Sequence, residues 1–274
     1  MTSIQNDLGS VASLWRYPVK SLLGEELNAA EFDEIGLVGD RAYALVDTID
    51  GKVATAKNPR RWHDLFALGA TLSEATGTVS KVPPVRITLP DGSTVHSRQA
   101  DIHQVLSKVV GREVILSASP KQGSRTAEEY WPDIDGLDYR NTVTEFGLPE
   151  GTFFDCASVH LLTTATLQRL QNVYPHGRFA VRRFRPNIVV ETVAGDDFVE
   201  NAWIGRVLAI GDVVRLKITG PCGRCVMTTL AQGDLPQDTG ILRTAVQQNR
   251  ASVGVYASVL RGGKITQRDA VRLE

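Results

Sequence analysis

A chain of 274 residues, 42% hydrophobic and 22% charged, is long enough for one large domain or two smaller ones. Its 30 basic and 31 acidic residues leave a net charge of −1, which excludes a general electrostatic attraction to nucleic acid or acidic membranes. Three cysteines are too few for a disulfide framework or for an all-cysteine iron–sulfur cluster.

The chain carries no sequence signal for membrane insertion or secretion. No apolar run is long enough for a membrane helix, and residues 1–7 lack the basic and then apolar pattern of a signal peptide. We therefore expect a cytoplasmic protein without membrane contact.

Short strands dominate the first half of the chain. Residues 11–17 mix apolar and aromatic side chains and end before Pro18, which predicts a strand. Two β-hairpins of an antiparallel sheet are predicted where Asp-Gly turns separate strand-like runs, namely residues 41–47 with 52–56 and residues 85–89 with 94–97.

Two helices are predicted from apolar residues at helical spacing. The first follows Asp101, a candidate N-cap, and stops at Gly111. The second runs from about Thr164 to Tyr174 and is closed by Pro175.

Strands resume in the second half, after a stretch of different composition. Residues 120–150 are rich in Gly, Pro, Asp and Ser, which predicts a linker or a long ordered loop. The whole pattern indicates a mainly β fold with some α (α+β) and two or more packed helices. The later strands are predicted at residues 159–163, 187–191, 206–210, 213–218 and 253–259, with a last one after the turn at 262–263.

Residues 220–225 (GPCGRC) hold two of the three cysteines, Cys222 and Cys225. A thiolate is both a soft metal ligand and a nucleophile, and Arg224 would favour the ionised form. The residues alone leave a thioredoxin-like redox pair, part of a zinc site, inert buried thiols and a soft-metal anchor all open.

Lys20 and Ser21, with Arg41 further along, combine positive charge with several hydrogen-bond donors near strand ends. That combination suits a phosphate or another oxyanion. Solvated surface charges are the alternative interpretation, and composition alone favours it.

Two polar pairs precede strands in the second half. Asp155 and Ser158 could hold donors of a ligand, or could form only a turn and a cap. Arg185 and Asn187 place a guanidinium and an amide at a strand mouth, where a plain surface arginine is the alternative.

Taken together and in this order, these segments resemble the MOSC family, named after the C-terminal domain of molybdenum-cofactor sulfurases. The resemblance spans nearly the whole chain. It implies a β-barrel-like architecture with an N-terminal MOSC domain at residues 9–130 and the MOSC domain proper at residues 135–274. The matching segments are YPVKS (17–21), GDR (39–41), TAK (55–57), residues 155–158, FRPN (184–187) and RCVMTT (224–229).

The resemblance is closest to the molybdenum enzymes of the mitochondrial amidoxime-reducing component type. It implies an oxidoreductase that binds the molybdenum cofactor in its molybdopterin form and reduces N-hydroxylated or N-oxide-type small molecules. Electrons would come from a separate ferredoxin or flavin-reductase type of protein. Cys225 is implied as the catalytic metal ligand. The implied cofactor-binding residues are Lys20, Ser21, Arg41, Thr55, Lys57, Asp155, Ser158, Arg185, Asn187 and Arg224.

Two other functions stay open from the sequence. One is a sulfur carrier or cofactor-delivery module that bears a persulfide on Cys222 or Cys225. The other is a binding or structural protein. A pyridoxal-phosphate domain of the aminotransferase type does not fit beside the MOSC regions, so pyridoxal phosphate is expected only as a label shared with longer sulfurases.

Overall fold

The computed structural model describes residues 7–73, 82–118, 125–193, 195 and 197–274. In this part of the chain, three short 3-10 helices (Leu65–Ala67, Val199–Trp203 and Val226–Thr229) join longer elements. The α-helices are α1 (Ile102–Val110), α2 (Thr164–Val173), α3 (Val181–Phe184) and α4 (Gly240–Asn249). The strands are β1 (Asp7–Arg16), β2 (Glu25–Leu27), β3 (Ala29–Phe32), β4 (Tyr43–Asp47), β5 (Gly69–Leu72), β6 (Val85–Thr88), β7 (Thr94–His96), β8 (Val114–Ala118), β9 (Thr126–Trp131), β10 (Thr142–Gly147), β11 (Val159–Thr163), β12 (Ile188–Thr192), β13 (Val207–Ile210), β14 (Val214–Gly223), β15 (Ser252–Arg261), β16 (Gly263–Thr266) and β17 (Ala270–Leu273).

A closed barrel of seven strands forms the centre of the molecule, in the order β12-β11-β15-β14-β13-β17-β1, with β1 pairing back onto β12. β11 and β12 are parallel, whereas the other neighbours are antiparallel. Closure leaves no open sheet edge, and inward-facing side chains such as Leu14, Leu161 and Val255 fill the interior. The expected mainly β fold with a barrel is confirmed.

A second core lies beside the barrel and is built mostly from the first half of the chain. Side chains of β4, β6 and α1, including Leu45, Ile87 and Leu106, pack together there. Met227, which comes from the second half and lies two residues after Cys225, packs into the same core. The segment that carries Cys225 is therefore fixed between the two cores.

Both predicted helices are confirmed as α1 and α2. Gly111 ends α1 in the left-handed conformation (φ 68°), as its position predicts. Asp101 occupies the N-cap position of α1 without a side-chain capping bond, whereas the Thr163 hydroxyl caps α2 by accepting from the Thr166 N–H. The sequence pattern predicts neither α3, which is too short for periodicity, nor α4, which follows a run rich in Pro and Gly.

Two of the strand and loop predictions are wrong. Residues 120–150, expected as a linker or loop, contain the antiparallel hairpin β9–β10, in which Thr142 pairs with Trp131. Most side chains of β10 are exposed, so the alternation that marks a strand is faint in its sequence. Residues 52–56 are not a strand, because only Val53 forms an isolated bridge. Residues 119–124 lie outside the described part of the chain.

The proposed domain boundaries at 9–130 and 135–274 stay a prediction. The barrel takes its strand β1 from the first half and its other strands from the second half. Within the described ranges, no helix has both the length and the apolar character needed to cross a membrane.

Candidate cofactor site

A cavity that is open to solvent lies where β11, β14 and β15 meet the loops that precede β4 and β12. Of the residues predicted to form the site, all except Thr55 and Ser158 line it. The cavity therefore brings together side chains that are far apart in the sequence, from Lys20 to Cys225.

Three of these lining residues have a left-handed backbone: Ser21 (φ 64°), Arg41 (φ 47°) and Arg185 (φ 55°). This conformation is uncommon and costly for residues other than glycine, and it often marks functional sites. At Arg185 it ends α3 and turns the chain towards β12. The fold therefore holds these side chains at the cavity at some conformational cost.

Arg41 and Arg185 form the cationic side of the cavity, and both guanidinium groups lie over the Tyr17 ring, at 4.6 and 4.1 Å from its centroid. Arg41 pairs with Asp40. The Nη1 of Arg185 donates to the Leu22 carbonyl at 2.6 Å, whereas its buried Nη2 has no hydrogen-bond partner among the described residues. Burial and the nearby Arg41 lower the pKa of Arg185 to about 10, so it stays charged at neutral pH. A buried cation with an unused donor fits an anionic ligand.

Lys20, Asp155 and Lys57 form a second charged group. Lys20 Nζ donates to the Phe153 carbonyl at 2.7 Å and to Asp155, whose other oxygen lies 3.4 Å from Lys57 Nζ. Burial raises the pKa of Asp155, but the two lysines outweigh it and hold that pKa well below its usual range. Burial lowers the pKa of Lys20 more than Asp155 raises it. Asp155 is therefore a fixed carboxylate held by two ammonium groups.

Both the nitrogen and the oxygen of the Asn187 side-chain amide have hydrogen-bond partners within the protein. Its amide nitrogen donates to the Trp15 carbonyl at 3.3 Å and to Asp40 at 3.0 Å, and its oxygen accepts from the His160 N–H at 3.1 Å. The side chain thus ties β1 to β11 and fixes Asp40, the partner of Arg41. A direct role for Asn187 in cofactor binding stays a prediction.

Thr55 and Ser158 lie behind the cavity wall. Thr55 is buried, and its hydroxyl accepts from Ser21 Oγ at 3.5 Å, while Ser21 Oγ also accepts from the Ala56 N–H. Ser158 packs against the loop between β3 and β4, because a Cβ added at Gly36 would come within 3.0 Å of the Ser158 Cβ. Thr55 supports Ser21 from behind the wall.

Cys225 and Arg224 connect the end of β14 to the following 3-10 helix. Burial raises the pKa of Cys225 to about 11, against the lowering effect of Lys57. A bound metal ion would favour loss of this proton. Arg224 hydrogen-bonds to Cys222 rather than to Cys225, with 2.7 Å between Nη1 and Sγ, and its buried Nε lacks a partner in the described part of the chain.

Arg183, which the sequence analysis missed, holds the segment after Cys225. Its side chain is fully buried in α3, and its guanidinium donates to four main-chain carbonyl groups. The acceptors are the oxygens of Arg178 at 2.9 Å, Thr228 and Leu230 at 3.0 Å, and Pro236 at 2.7 Å. Nothing in the sequence separates it from its neighbour Arg182.

We expect Arg183→Met to lower the free energy of unfolding by about 3 kcal/mol or more, because several buried carbonyl groups lose their donor. Urea denaturation measures this. The matched control is Arg182→Met, whose guanidinium pairs with exposed Asp234 at the surface and should matter much less. Equal losses in the two variants would contradict the role given to Arg183.

Two further cavity residues, His160 and Tyr256, belong to none of the predicted motifs, and only the fold brings them to the site. Four others lie within or beside the motifs but were not predicted to bind the cofactor: Cys156, Phe184, Cys222 and Met227.

A metal in this cavity would need ligands besides protein side chains. Among the described residues, no group of three or more His, Cys, Asp or Glu side chains is arranged to hold a metal ion. One cysteine ligand in a cationic cavity, without a cluster of further protein ligands, fits a metal that arrives with most of its ligands on an anionic organic cofactor.

Two protein-family models match the sequence. The family model of the MOSC domain matches residues 149–272, and the family model of the MOSC N-terminal beta barrel domain matches residues 8–113. The chain belongs to the MOSC family. Its sequence is 28% identical over 259 residues to mitochondrial amidoxime reducing component 2 of Rattus norvegicus, covering 86% of this chain and 69% of the relative. It is 27% identical over 258 residues to mitochondrial amidoxime-reducing component 1 of Homo sapiens, covering 86% and 68%.

The structure of this MOSC protein is similar to the crystal structure of the YuaD protein from Bacillus subtilis. The match has a TM-score of 0.50 at 11% sequence identity, and it covers 98% of this chain and 97% of that one. It supports the barrel fold and carries no information on activity.

Proposed function

We propose that this MOSC protein is an oxidoreductase that holds a molybdenum cofactor through Cys225 and reduces N-hydroxylated or N-oxide-type compounds. One observation carries the proposal: Cys225 shares a cavity with Arg185, a buried cation that has a donor free for a ligand. A soft thiolate ligand and an anion site in one cavity suit a metal bound to a phosphorylated pterin.

Different charged side chains would bind different parts of the cofactor. Arg41 and Arg185 would bind its phosphate, and Ser21, whose hydroxyl donates to Thr55, lines the same cavity. Asp155 would be a fixed acceptor for the amino and ring N–H groups of a pterin, and the Nε of Arg224, which has no partner among the described residues, would be a donor. These assignments use atoms that the protein positions in advance, so little ordering is needed on binding.

When bound, the cofactor supplies two-electron chemistry to the substrate. The overall reaction breaks an N–O bond: R–NHOH, two protons and two electrons give R–NH₂ and water. Lys20 is the residue best suited to release a proton at the cavity, because its pKa is lowered by burial. Asp155 would hold the Lys20 Nζ in place through their salt bridge.

The relatives support this type of reaction, since their names describe amidoxime reduction. Electrons would come from a separate ferredoxin or flavin-reductase type of protein, because three cysteines cannot build a cluster within this chain. A cytoplasmic location stays a prediction.

An activity assay tests the proposal. Protein expressed in a cofactor-competent host would be mixed with a reduced viologen dye and an aromatic amidoxime, and formation of the amidine would be followed by chromatography. We expect turnover that depends on both the protein and the dye. A preparation that contains molybdenum and pterin but gives no turnover with amidoximes, hydroxylamines or N-oxides would contradict the proposed activity.

The contact between Arg224 and Cys222 favours sulfur transfer as a second candidate. A guanidinium at 2.7 Å from Cys222 Sγ would stabilise a persulfide anion as it does a thiolate. Mass spectrometry of the intact chain separates the two functions: a one-sulfur adduct on Cys222 without bound metal would favour transfer over reduction.

A further inference from the structure

Tyr17 follows the last residue of β1, and its aromatic ring contacts both arginines that would bind the cofactor phosphate. The guanidinium carbon of Arg185 lies 4.1 Å from the ring centroid, and that of Arg41 lies 4.6 Å from it. Only 1% of Tyr17 is exposed. The ring therefore contacts the two arginines from the protein interior.

Main-chain hydrogen bonds and close packing fix the position of this ring. The Tyr17 N–H donates to the Asp40 carboxylate at 2.7 Å, and the Tyr17 carbonyl accepts from the Arg41 N–H at 2.8 Å. A Cβ added at Gly24 would come within 2.5 Å of a ring carbon of Tyr17, so the ring packs directly against the main chain there. The ring is thus a rigid surface beside the loop that carries Arg41.

The two guanidinium groups lie near the same ring and repel each other. Burial and the charge of Arg41 lower the pKa of Arg185 to about 10, because both disfavour its charged form. Arg41 has the Asp40 carboxylate as a counter-ion, whereas Nη1 of Arg185 donates to the uncharged Leu22 carbonyl. The negative face of an aromatic ring attracts a cation, most strongly where water is excluded. Tyr17 therefore offsets part of the cost of keeping Arg185 charged beside Arg41.

The aromatic ring, rather than the hydroxyl group, is the part of Tyr17 that serves this purpose. Burial raises the pKa of Tyr17 far above its usual range, so the phenol stays uncharged. Its buried hydroxyl has no hydrogen-bond partner among the described residues. Contact with the ring also leaves Nη2 of Arg185 without a partner in the same part of the chain, so this donor remains for a ligand.

We propose that Tyr17 is a positioning residue, whose ring holds the Arg41 and Arg185 guanidinium groups ready to bind a phosphate group. This role rests on the proposed function, in which these two arginines bind the phosphate of the cofactor. Tyr17 would act through the arginines and would not touch the ligand itself.

Fluorination of the ring tests this role, because fluorine withdraws electrons from the ring face and changes the size of the ring little. Full-length protein is purified from a host that makes no molybdopterin, and inorganic phosphate is titrated into it by calorimetry. The proteins compared are the wild type, Tyr17→Phe, and a chain with a multiply fluorinated phenylalanine at the same position. We expect Tyr17→Phe to bind phosphate nearly as well as the wild type, and the fluorinated ring to bind it about tenfold more weakly.

Two leucine variants complete the comparison. Tyr17→Leu has no ring and should lose at least as much phosphate affinity as the fluorinated chain. Tyr130→Leu is the matched control, because Arg60 lies over the Tyr130 ring at 3.8 Å and neither residue lines the cavity. This control should keep wild-type affinity. Circular dichroism checks folding, and the two phenylalanine chains still test the proposal if Tyr17→Leu does not fold.

Three results would each overturn the role of Tyr17. They are equal phosphate affinities of Tyr17→Phe and its fluorinated form, equal losses in Tyr17→Phe and Tyr17→Leu, and no phosphate binding by the wild type. A wild-type chain that binds phosphate with this dependence on the ring, yet acquires neither molybdenum nor pterin in a cofactor-competent host, would support the role of Tyr17 and contradict the proposed function.

Discussion

Cys225→Ala is expected to remove bound molybdenum, with at least about a hundredfold loss of metal affinity. Cys225 lines the cavity, and no cluster of protein ligands among the described residues would replace it. The thioether of Met227 and the nearby carboxylates do not supply an equivalent soft anion. Molybdenum per chain, measured by plasma mass spectrometry, checks this, and reductase activity should fall with it.

Cys156→Ala is the matched control for this substitution. It makes the same change at another thiol of the same cavity, which is more exposed. We expect this variant to keep most of its molybdenum. Equal metal contents in the two variants would contradict the assignment of Cys225 as the metal ligand.

Arg185→Met is expected to reduce pterin bound per chain, with a loss of cofactor affinity of about a hundredfold. Arg185 offers the proposed phosphate a buried guanidinium with an unused Nη2, and a charge-assisted bond of this kind is worth about 3 kcal/mol, or about a hundredfold in affinity. Methionine keeps much of the apolar stem but supplies no charge. Pterin fluorescence after oxidative release measures the loss.

Arg182→Met is the control for the charge on α3, because Arg182 binds Asp234 at the surface. It should keep its pterin. Circular dichroism of both variants shows whether the barrel has folded, so loss of the site is distinguished from loss of the fold. A folded Arg185→Met variant with normal pterin content would remove Arg185 from the proposed phosphate site.

The sequence was sufficient to predict about half of the residues that line the cavity. Lys20, Arg41, Arg185 and Cys225 belong to motifs whose order along the chain is typical of the MOSC family, and the structure brings all of them to one cavity. The roles of some side chains were less predictable. The sequence motif predicts that Asn187 binds the cofactor, yet its side-chain amide forms hydrogen bonds with β1, Asp40 and β11.

The rest of the cavity depends on strand pairing that no local pattern encodes. His160 lies opposite Tyr256 because β11 and β15 pair in one antiparallel register. In the pairing of β14 with β15, Tyr256 lies opposite Gly220, two residues before Cys222, and both Tyr256 and Cys222 line the cavity. A shift by one residue would move each of these side chains to the other face of the sheet.

The parts of the fold that escaped prediction share a physical reason. The strand β10 exposes most of its side chains, so burial does not impose an alternating pattern on its sequence. Arg183 looks like a surface residue beside Arg182, and only tertiary packing gives it buried carbonyl acceptors. Closure of the barrel by β1 likewise depends on a pairing with β12 across the length of the chain.

Simultaneous quantification of molybdenum and pterin in the wild-type protein, purified from a cofactor-competent host, tests the central claim most directly. We expect both in near-equal amounts, approaching one of each per chain, and both retained through gel filtration. Protein that folds and contains neither, or that binds a metal without pterin, would contradict the assignment of this cavity as a molybdenum-cofactor site.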